Sequence, residues 1–125
     1  MITDDDYALT LYRIPGKFSE LRDPPRVTPK PGILMMHSMF WDMNQWVSND
    51  ADKAQAFNLV DGGFDVWMGN SRGVSYSSGH LNYTKHDQEY WQFNIESMGF
   101  HDLPAFMEFI FAKTGLEKIG YLGHS

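Results

Sequence analysis

Cysteine is absent from the 125 residues of the chain, which excludes disulfide bonds, catalytic thiolates and cysteine-bound zinc. Positive charge is also sparse, because ten lysines and arginines are scattered singly among sixteen acidic residues and the net charge is -6. A protein that follows a phosphate backbone needs a stripe of basic residues, and none is present. We therefore do not expect a nucleic acid partner.

Long apolar runs are missing as well, so the sequence predicts no membrane-spanning segment. The first residues, Met1 to Asp6, are too acidic and polar for a signal peptide, and we expect none in this chain. The composition is nevertheless that of a folded protein, because 42% of the residues are hydrophobic and 15% are aromatic.

Strand and helix patterns alternate along the sequence. Alternating or continuous short apolar runs predict strands, and apolar residues recurring at three and four positions predict helices. The predicted strands are Tyr7 to Ile14, Ile33 to Met36, Phe64 to Met68 and Lys118 to Leu122; the predicted helices are Asp52 to Val60, closed by Gly62-Gly63, and Asp102 to Lys113, capped by Asp102 and ended by Gly115. This order predicts an α/β fold with a mostly parallel sheet and helical crossovers. The proline-rich stretch Lys17 to Pro31 is expected to be an exposed connection.

The last three residues, Gly123-His124-Ser125, are the first three of a G-x-S-x-G nucleophile elbow. In such an elbow a serine follows a strand on a sharp turn, and the N–H of the next residue faces the oxyanion of the reaction. The apolar run before Ser125 fits the strand. We therefore take Ser125 as the candidate nucleophile.

A complete G-x-S-x-G also occurs at Gly69 to Gly73, with Ser71 at its centre. An elbow must start a helix, whereas Val74 to Gly79 is rich in residues that favour loops and strands. We therefore interpret Ser71 as a structural turn residue and Arg72 as a donor that anchors the loop.

A second candidate follows the strand that ends at Met36. In α/β-hydrolases the loop after this strand supplies the other backbone N–H of the oxyanion hole, and here it contains His37, Ser38 and Met39. Taken alone, His37 is a loop histidine bonded to neighbouring backbone. A serine elbow two strands later favours a site at this loop.

Several of these motifs together resemble the acid lipase family of α/β-hydrolases, which includes gastric and lysosomal acid lipases. The most characteristic stretch is Asp65 to Gly73. The resemblance also includes His37-Ser38-Met39, Asn44-Gln45-Trp46, Glu89-Tyr90-Trp91, Asp102-Leu103-Pro104-Ala105, Lys113-Thr114-Gly115 and Gly123-His124-Ser125.

The resemblance implies that Ser125 is the nucleophile of an ester hydrolase and that the Met39 N–H and the N–H of the residue after Ser125 bind the oxyanion. His37 and His124 would have supporting roles. The implied substrates are neutral lipid esters, triacylglycerol or steryl ester, at a lipid–water interface, and no metal or organic cofactor is implied. The implied location of the complete protein is secreted or lysosomal. One departure is that the family has His-Gly where this chain has His37-Ser38, which matters if the turn needs a positive φ.

The family places its acid and its histidine after the nucleophile, so the resemblance implies that both are absent from this chain. This excludes the carboxylates Asp65, Asp87 and Asp102 and the histidines His80, His86 and His101, which we interpret as flanking, capping and surface residues. Residues 1–125 would then be part of one lipase domain, truncated at both ends and inactive as given. Two alternatives stay open: a catalytically inactive fragment, and a carboxylesterase of the same fold that is not a lipase.

One sequon for N-linked glycosylation is present, Asn82-Tyr83-Thr84, in a polar stretch that predicts a surface loop. If the complete protein is secreted, Asn82 is expected to carry a glycan. An unused sequon is the alternative.

Overall fold

A computed structural model describes residues 1–20 and 29–125 of the chain. Residues 21–28, in the middle of the proline-rich stretch and including Pro24 and Pro25, lie outside the described residues. The strands are β1 (Tyr7–Ala8), β2 (Leu11–Ile14), β3 (Gly32–Met36), β4 (Asp65–Gly69), β5 (Gly79–His80) and β6 (Gly120–Gly123). The α-helices are α1 (Gln55–Asp61), α2 (Ile95–Ser97) and α3 (Leu103–Thr114), and a π-helical turn over Met98–Asp102 joins the last two. Single turns of 3-10 helix lie at Met43–Trp46, Ser75–Ser77 and Glu89–Trp91.

Four of these strands form one sheet in the order β2-β4-β3-β6. β3 lies between β4 and β6 and is parallel to both, whereas β2 pairs antiparallel with β4. The predicted α/β architecture with a mostly parallel sheet is confirmed. The predicted strand Tyr7 to Ile14 is divided, because β1 leaves the main sheet and pairs with β5 instead.

Both faces of the two central strands, β3 and β4, are covered, which explains why these strands are continuous apolar runs. Successive side chains of a strand point to opposite faces. Leu34 and Met36 therefore pack with Trp67 against Phe106 and Ile110 of α3. On the other face, a second cluster contains the buried residues Met35, Trp46, Ala56, Val60, Val66 and Met68. The result is a three-layer arrangement with α1 and α3 on opposite faces.

Helix α3 ends as the sequence predicts, but it does not begin with the predicted cap. Gly115 ends α3 in the left-handed conformation with a φ of 71°, which favours glycine, as predicted. Asp102 precedes α3, but it has helical backbone angles and its side chain makes no cap. The predicted N-cap is therefore wrong. No helix in residues 1–20 and 29–125 has the length and apolar character needed to cross a bilayer.

The Asp102 carboxylate instead binds a buried arginine. Arg72 lies in the loop after β4, and its side chain has no exposed area. The Asp102 carboxylate accepts hydrogen bonds from the Arg72 backbone N–H at 3.0 Å and from its Nε at 2.8 Å. Asp5 accepts two more from the guanidinium, at 2.6 and 2.8 Å, and the ring of Tyr7 lies 3.9 Å from its central carbon. Arg72 thus connects the N-terminal segment, the β4 loop and the start of α3, which confirms its interpretation as a loop anchor.

We predict that Asp102→Asn destabilises the full-length protein by about 3 kcal/mol, because the amide turns one of two buried acceptor oxygens into a donor that faces an Arg72 N–H and removes one partner of the buried ion pair. Urea denaturation measures this cost. Asp50→Asn is the control: it removes an ion pair with Lys53 in which both side chains are mostly exposed, and it should cost under about 0.5 kcal/mol. Equal costs for the two variants would contradict the role of the buried pair.

Candidate active site

Three loops meet at the carboxyl edge of the sheet, because β4, β3 and β6 are parallel neighbours. Ser71 follows β4, His37 follows β3 and Ser125 follows β6. The loop after the central strand therefore lies between the two serines. This edge is the usual place for a ligand in an open α/β sheet.

Ser125 has a φ of 55°, in the left-handed region that non-glycine residues rarely adopt. Sharp, strained backbone of this kind is typical of a nucleophile elbow. The preceding residue is held to the sheet, because the His124 N–H donates to the Met36 carbonyl at 3.1 Å. The ring of His124 makes an edge contact with buried Trp46, with the ring centres 6.5 Å apart.

Met39 carries the predicted oxyanion donor. Within the part of the chain that the structure describes, its backbone N–H donates to no acceptor. Met39 and Ser125 line the same cavity, which has a volume of about 350 Å³. Met39, whose backbone N–H has no acceptor among the described residues, and Ser125 thus line a common space.

The buried ring of His37 determines how the Met39 N–H is oriented. The Ser71 N–H donates to His37 Nε2 at 3.1 Å, so this nitrogen carries no proton. The neutral ring must then be protonated at Nδ1, which lies 2.8 Å from the Ser38 carbonyl and donates to it. In a trans peptide the N–H points away from the carbonyl, and the N–H of that same peptide belongs to Met39.

Ser38, which replaces the glycine of the resembled family, adopts an ordinary backbone conformation. The non-glycine residues with positive φ in the described ranges are Asp6 and Ser125. The turn after β3 therefore needs no positive φ at Ser38. A serine fits this position without backbone strain.

Ser71 lines the same cavity as Ser125, but its surroundings differ. A nucleophile elbow needs the N–H of the residue after the serine for the oxyanion. After Ser71 that group is the Arg72 N–H, which already donates to Asp102 at 3.0 Å. Only a three-residue 3-10 turn at Ser75–Ser77 follows, in place of a helix. These contacts favour the interpretation of Ser71 as a turn residue.

A larger cavity of about 800 Å³ adjoins the first and shares five lining residues with it, Met39, Arg72, Val74, Ile95 and Met98. Its wall is rich in aromatic side chains: Phe40, Trp41, Trp91 and Phe93. Phe40 is 94% exposed, and Trp41 is 52% exposed. An apolar surface of this kind suits an apolar ligand.

The carboxylates set aside on chain order do not line the cavity of Ser125 and Met39, and neither does any other acidic side chain of the described ranges. Asp102 lies behind its wall, bound to Arg72. Asp65 is buried inside β4 and paired with Arg13 at 2.7 Å, so it is a strand residue rather than a flanking one. Asp87 accepts hydrogen bonds from Thr84 at the surface. The histidines that line the cavity are His37, whose two nitrogens are both occupied, and His124.

The two carboxylates beside Arg72 have pKa values shifted in opposite directions. Burial raises the pKa of Asp102, although the hydrogen bonds of Arg72 oppose it. Burial would also raise the pKa of Asp5, but hydrogen bonds from Arg72 and Thr3 outweigh it and lower this pKa to about 2. Asp5 is therefore ionised throughout the physiological range and completes the charge balance of Arg72.

One group of side chains has the spacing of metal ligands. Asp4, Asp5 and His101 bring one ligand atom each within 4.8 Å of one another. His101, predicted to be a surface residue, is half-buried and lies 2.6 Å from Asp4. Because Asp5 already binds the Arg72 guanidinium, whose charge repels a cation, this group does not favour a metal centre.

Two residues near the site have structural roles that the sequence patterns did not indicate. Gln45 Oε1 accepts the Ser38 N–H at 2.9 Å. Asn70, fully buried, accepts the Met43 N–H at 3.0 Å through its side chain. Both residues belong to motifs that carry the family resemblance, and this membership was the signal in the sequence that could have pointed to them.

Comparison with known proteins gives two family matches. The α/β-hydrolase fold family matches residues 31–125, and a partial α/β-hydrolase lipase region matches residues 1–50. Human lysosomal acid lipase/cholesteryl ester hydrolase is 42% identical, over 98% of this chain and 30% of its own length. Human lipase member K is 41% identical over 98% of this chain and 30% of its own length, and rat gastric triacylglycerol lipase is 39% identical over 100% and 31%. The chain thus spans about 30% of the length of these relatives.

We predict that Asp5→Asn destabilises the full-length protein in a pH-dependent way. Because the folded-state pKa lies below the ordinary value of 3.8, the ion pair stabilises the fold above about pH 4, and this contribution is lost as the pH falls towards 2. The cost of the substitution should be about 1 kcal/mol at pH 6, allowing for partial exposure of Asp5, and should shrink between pH 4 and pH 2. Urea denaturation over pH 2–6 measures it, and a cost that does not change with pH would contradict the assignment.

Proposed function

Since the chain belongs to the α/β-hydrolase family, and within it to the acid lipases, we propose that the complete protein is a serine-dependent lipase acting on neutral lipid esters. The observation that carries the proposal is the common cavity of Ser125 and Met39. Its lining includes a serine with the positive φ typical of an elbow and a residue whose backbone N–H has no acceptor in the described part of the chain.

The proposed reaction is acyl transfer through Ser125. A histidine that follows Ser125 in the complete protein removes the Oγ proton, and Oγ attacks the ester carbonyl carbon. The Met39 N–H and the N–H of the residue after Ser125 stabilise the negative charge on the carbonyl oxygen. The alcohol leaves with a proton from the histidine, and water then releases the fatty acid and regenerates Ser125.

The apolar cavity beside the site supports a lipid substrate over a small ester. Its volume of about 800 Å³ exceeds what a short acyl group fills, and its wall carries Trp41, Trp91 and Phe93. Relatives are named for triacylglycerol and for cholesteryl esters, and we propose esters of this class as the substrates. The exposed Phe40 next to Met39 would contact the lipid–water interface.

We propose in addition that the complete protein is secreted or lysosomal, as the names of its lysosomal and gastric relatives suggest. The surface position of Asn82 supports the accompanying expectation of a glycan. Its side chain is exposed, with one contact of 3.4 Å to Asp6.

The decisive prediction concerns the two serines. In the full-length protein, Ser125→Ala should abolish both triacylglycerol hydrolysis and labelling by a fluorophosphonate, because the nucleophile is lost. Ser71→Ala should retain labelling, since Ser71 contributes its backbone N–H to His37 and that group survives the substitution. Labelling followed by mass spectrometry of the modified peptide measures both outcomes.

Labelling of Ser71 in the Ser125→Ala protein would overturn the assignment. A wild-type protein that cleaves p-nitrophenyl acetate but not emulsified triacylglycerol or steryl ester would be a carboxylesterase rather than a lipase. A full-length protein that neither hydrolyses esters nor reacts with the probe would contradict the proposed activity.

The glycan has its own test. Expressed through a secretory pathway, the full-length protein should lose apparent mass on treatment with an N-glycosidase, and Asn82→Gln should remove that part of the shift due to this site. Asn94→Gln, which changes an asparagine outside any sequon, is the matched control. Identical shifts for wild type and Asn82→Gln would show that the sequon is unused.

A further inference from the structure

Gln45 lies in the 3-10 turn Met43–Trp46, which directly follows the loop that carries the oxyanion donor. Its side-chain oxygen accepts the Ser38 N–H at 2.9 Å. A backbone N–H can only donate, so the carbonyl oxygen of the amide, and not its nitrogen, must face Ser38. The contact is therefore directional and specific to an acceptor at this position.

The turn that carries Gln45 is itself fixed. Asp42 caps it by accepting the Asn44 N–H at 2.9 Å, and Trp46 is buried in the core beneath it. Asn70 accepts the Met43 N–H at the start of the same turn. The segment between Ser38 and Met43, with Phe40 and Trp41 at its tip, is largely exposed. Its own backbone closes a turn, because the Trp41 N–H donates to the Ser38 carbonyl at 3.0 Å.

Two consecutive peptide groups at the start of this loop are held by different side chains. Gln45 binds the N–H of the His37–Ser38 peptide, and the His37 ring binds the carbonyl of the Ser38–Met39 peptide. The second peptide contains the free Met39 N–H. Its direction depends on both contacts, because a rotation of the first peptide displaces the second.

We propose that Gln45 is a positioning residue for the oxyanion: by holding Ser38, it aims the Met39 N–H at the cavity shared with Ser125. This inference rests on the proposed function. Removing an oxyanion donor altogether reduces turnover by about 10² to 10³. Loss of one support of such a donor should reduce kcat by about 10-fold or more while leaving KM nearly unchanged.

The test uses Gln45→Met and Gln45→Leu in the full-length protein, which keep an apolar stem but remove the acceptor. A trifluoromethyl ketone with a long acyl chain forms a tetrahedral oxyanion adduct with a nucleophilic serine, whereas the corresponding secondary alcohol binds without forming one. Both variants should bind the ketone about 10-fold or more weakly and bind the alcohol as wild type does. Gln88→Met, the same substitution at an exposed position away from both cavities, is the control and should bind both compounds normally.

The outcomes separate the inference from the function on which it rests. If wild type binds the ketone through Ser125 and the Gln45 variants bind it equally well, the positioning role is overturned and the proposed function stands. A parallel loss of affinity for ketone and alcohol, with a lowered melting temperature, would reveal a merely structural role and would also overturn it. A wild type that forms no adduct at Ser125 would overturn both.

Discussion

The buried charge of Arg72 is the constraint on which the arrangement of this molecule depends. A guanidinium without solvent contact is tolerated only if its donors are satisfied and its charge is balanced. Asp102 and Asp5 provide both, and they come from the start of α3 and from the N-terminal segment. Tyr7 covers one face of the guanidinium. Three segments far apart in sequence are therefore held at one point beside the sheet edge.

From this point a series of hydrogen bonds leads to the candidate site. With Arg72 fixed, the neighbouring Ser71 N–H is directed at His37, and the His37 ring in turn binds the Ser38 carbonyl. The Met39 N–H on the far side of that peptide has no acceptor among residues 1–20 and 29–125. A preorganised donor needs no reorganisation when charge develops, which is the property that an oxyanion hole requires. The Gly69–Gly73 loop matches the G-x-S-x-G pattern of an elbow, but its contact in this arrangement is to support the His37 ring.

Local pattern predicted most of the elements but not the partners of their polar residues. Gly115 ends α3 as expected, because the left-handed conformation is a property of a single residue. Asp102 was expected to cap the same helix, which is the ordinary role of an aspartate at that position. The cap is not made because the buried guanidinium of Arg72, thirty residues earlier, binds the carboxylate more strongly than a backbone N–H could. Whether a serine in place of glycine at position 38 strains the turn likewise depended on a backbone φ angle, which a pattern of residues does not give.

What the sequence alone determined was the alternation of strands and helices, the parallel sheet and the position of Ser125 after a strand, because apolar periodicity and turn residues act over a few neighbouring positions. The division of the first predicted strand, the pairing of Arg72 with Asp102 and Asp5, and the contacts of Gln45 and Asn70 were decided only in the tertiary structure. A polar side chain binds whichever partner the packed sheet edge brings within about 3 Å, and that choice depends on residues distant in the sequence. The orientation of the Met39 N–H depends in the same way on the His37 ring, the Gln45 side chain and the Ser71 backbone N–H, which the fold brings together.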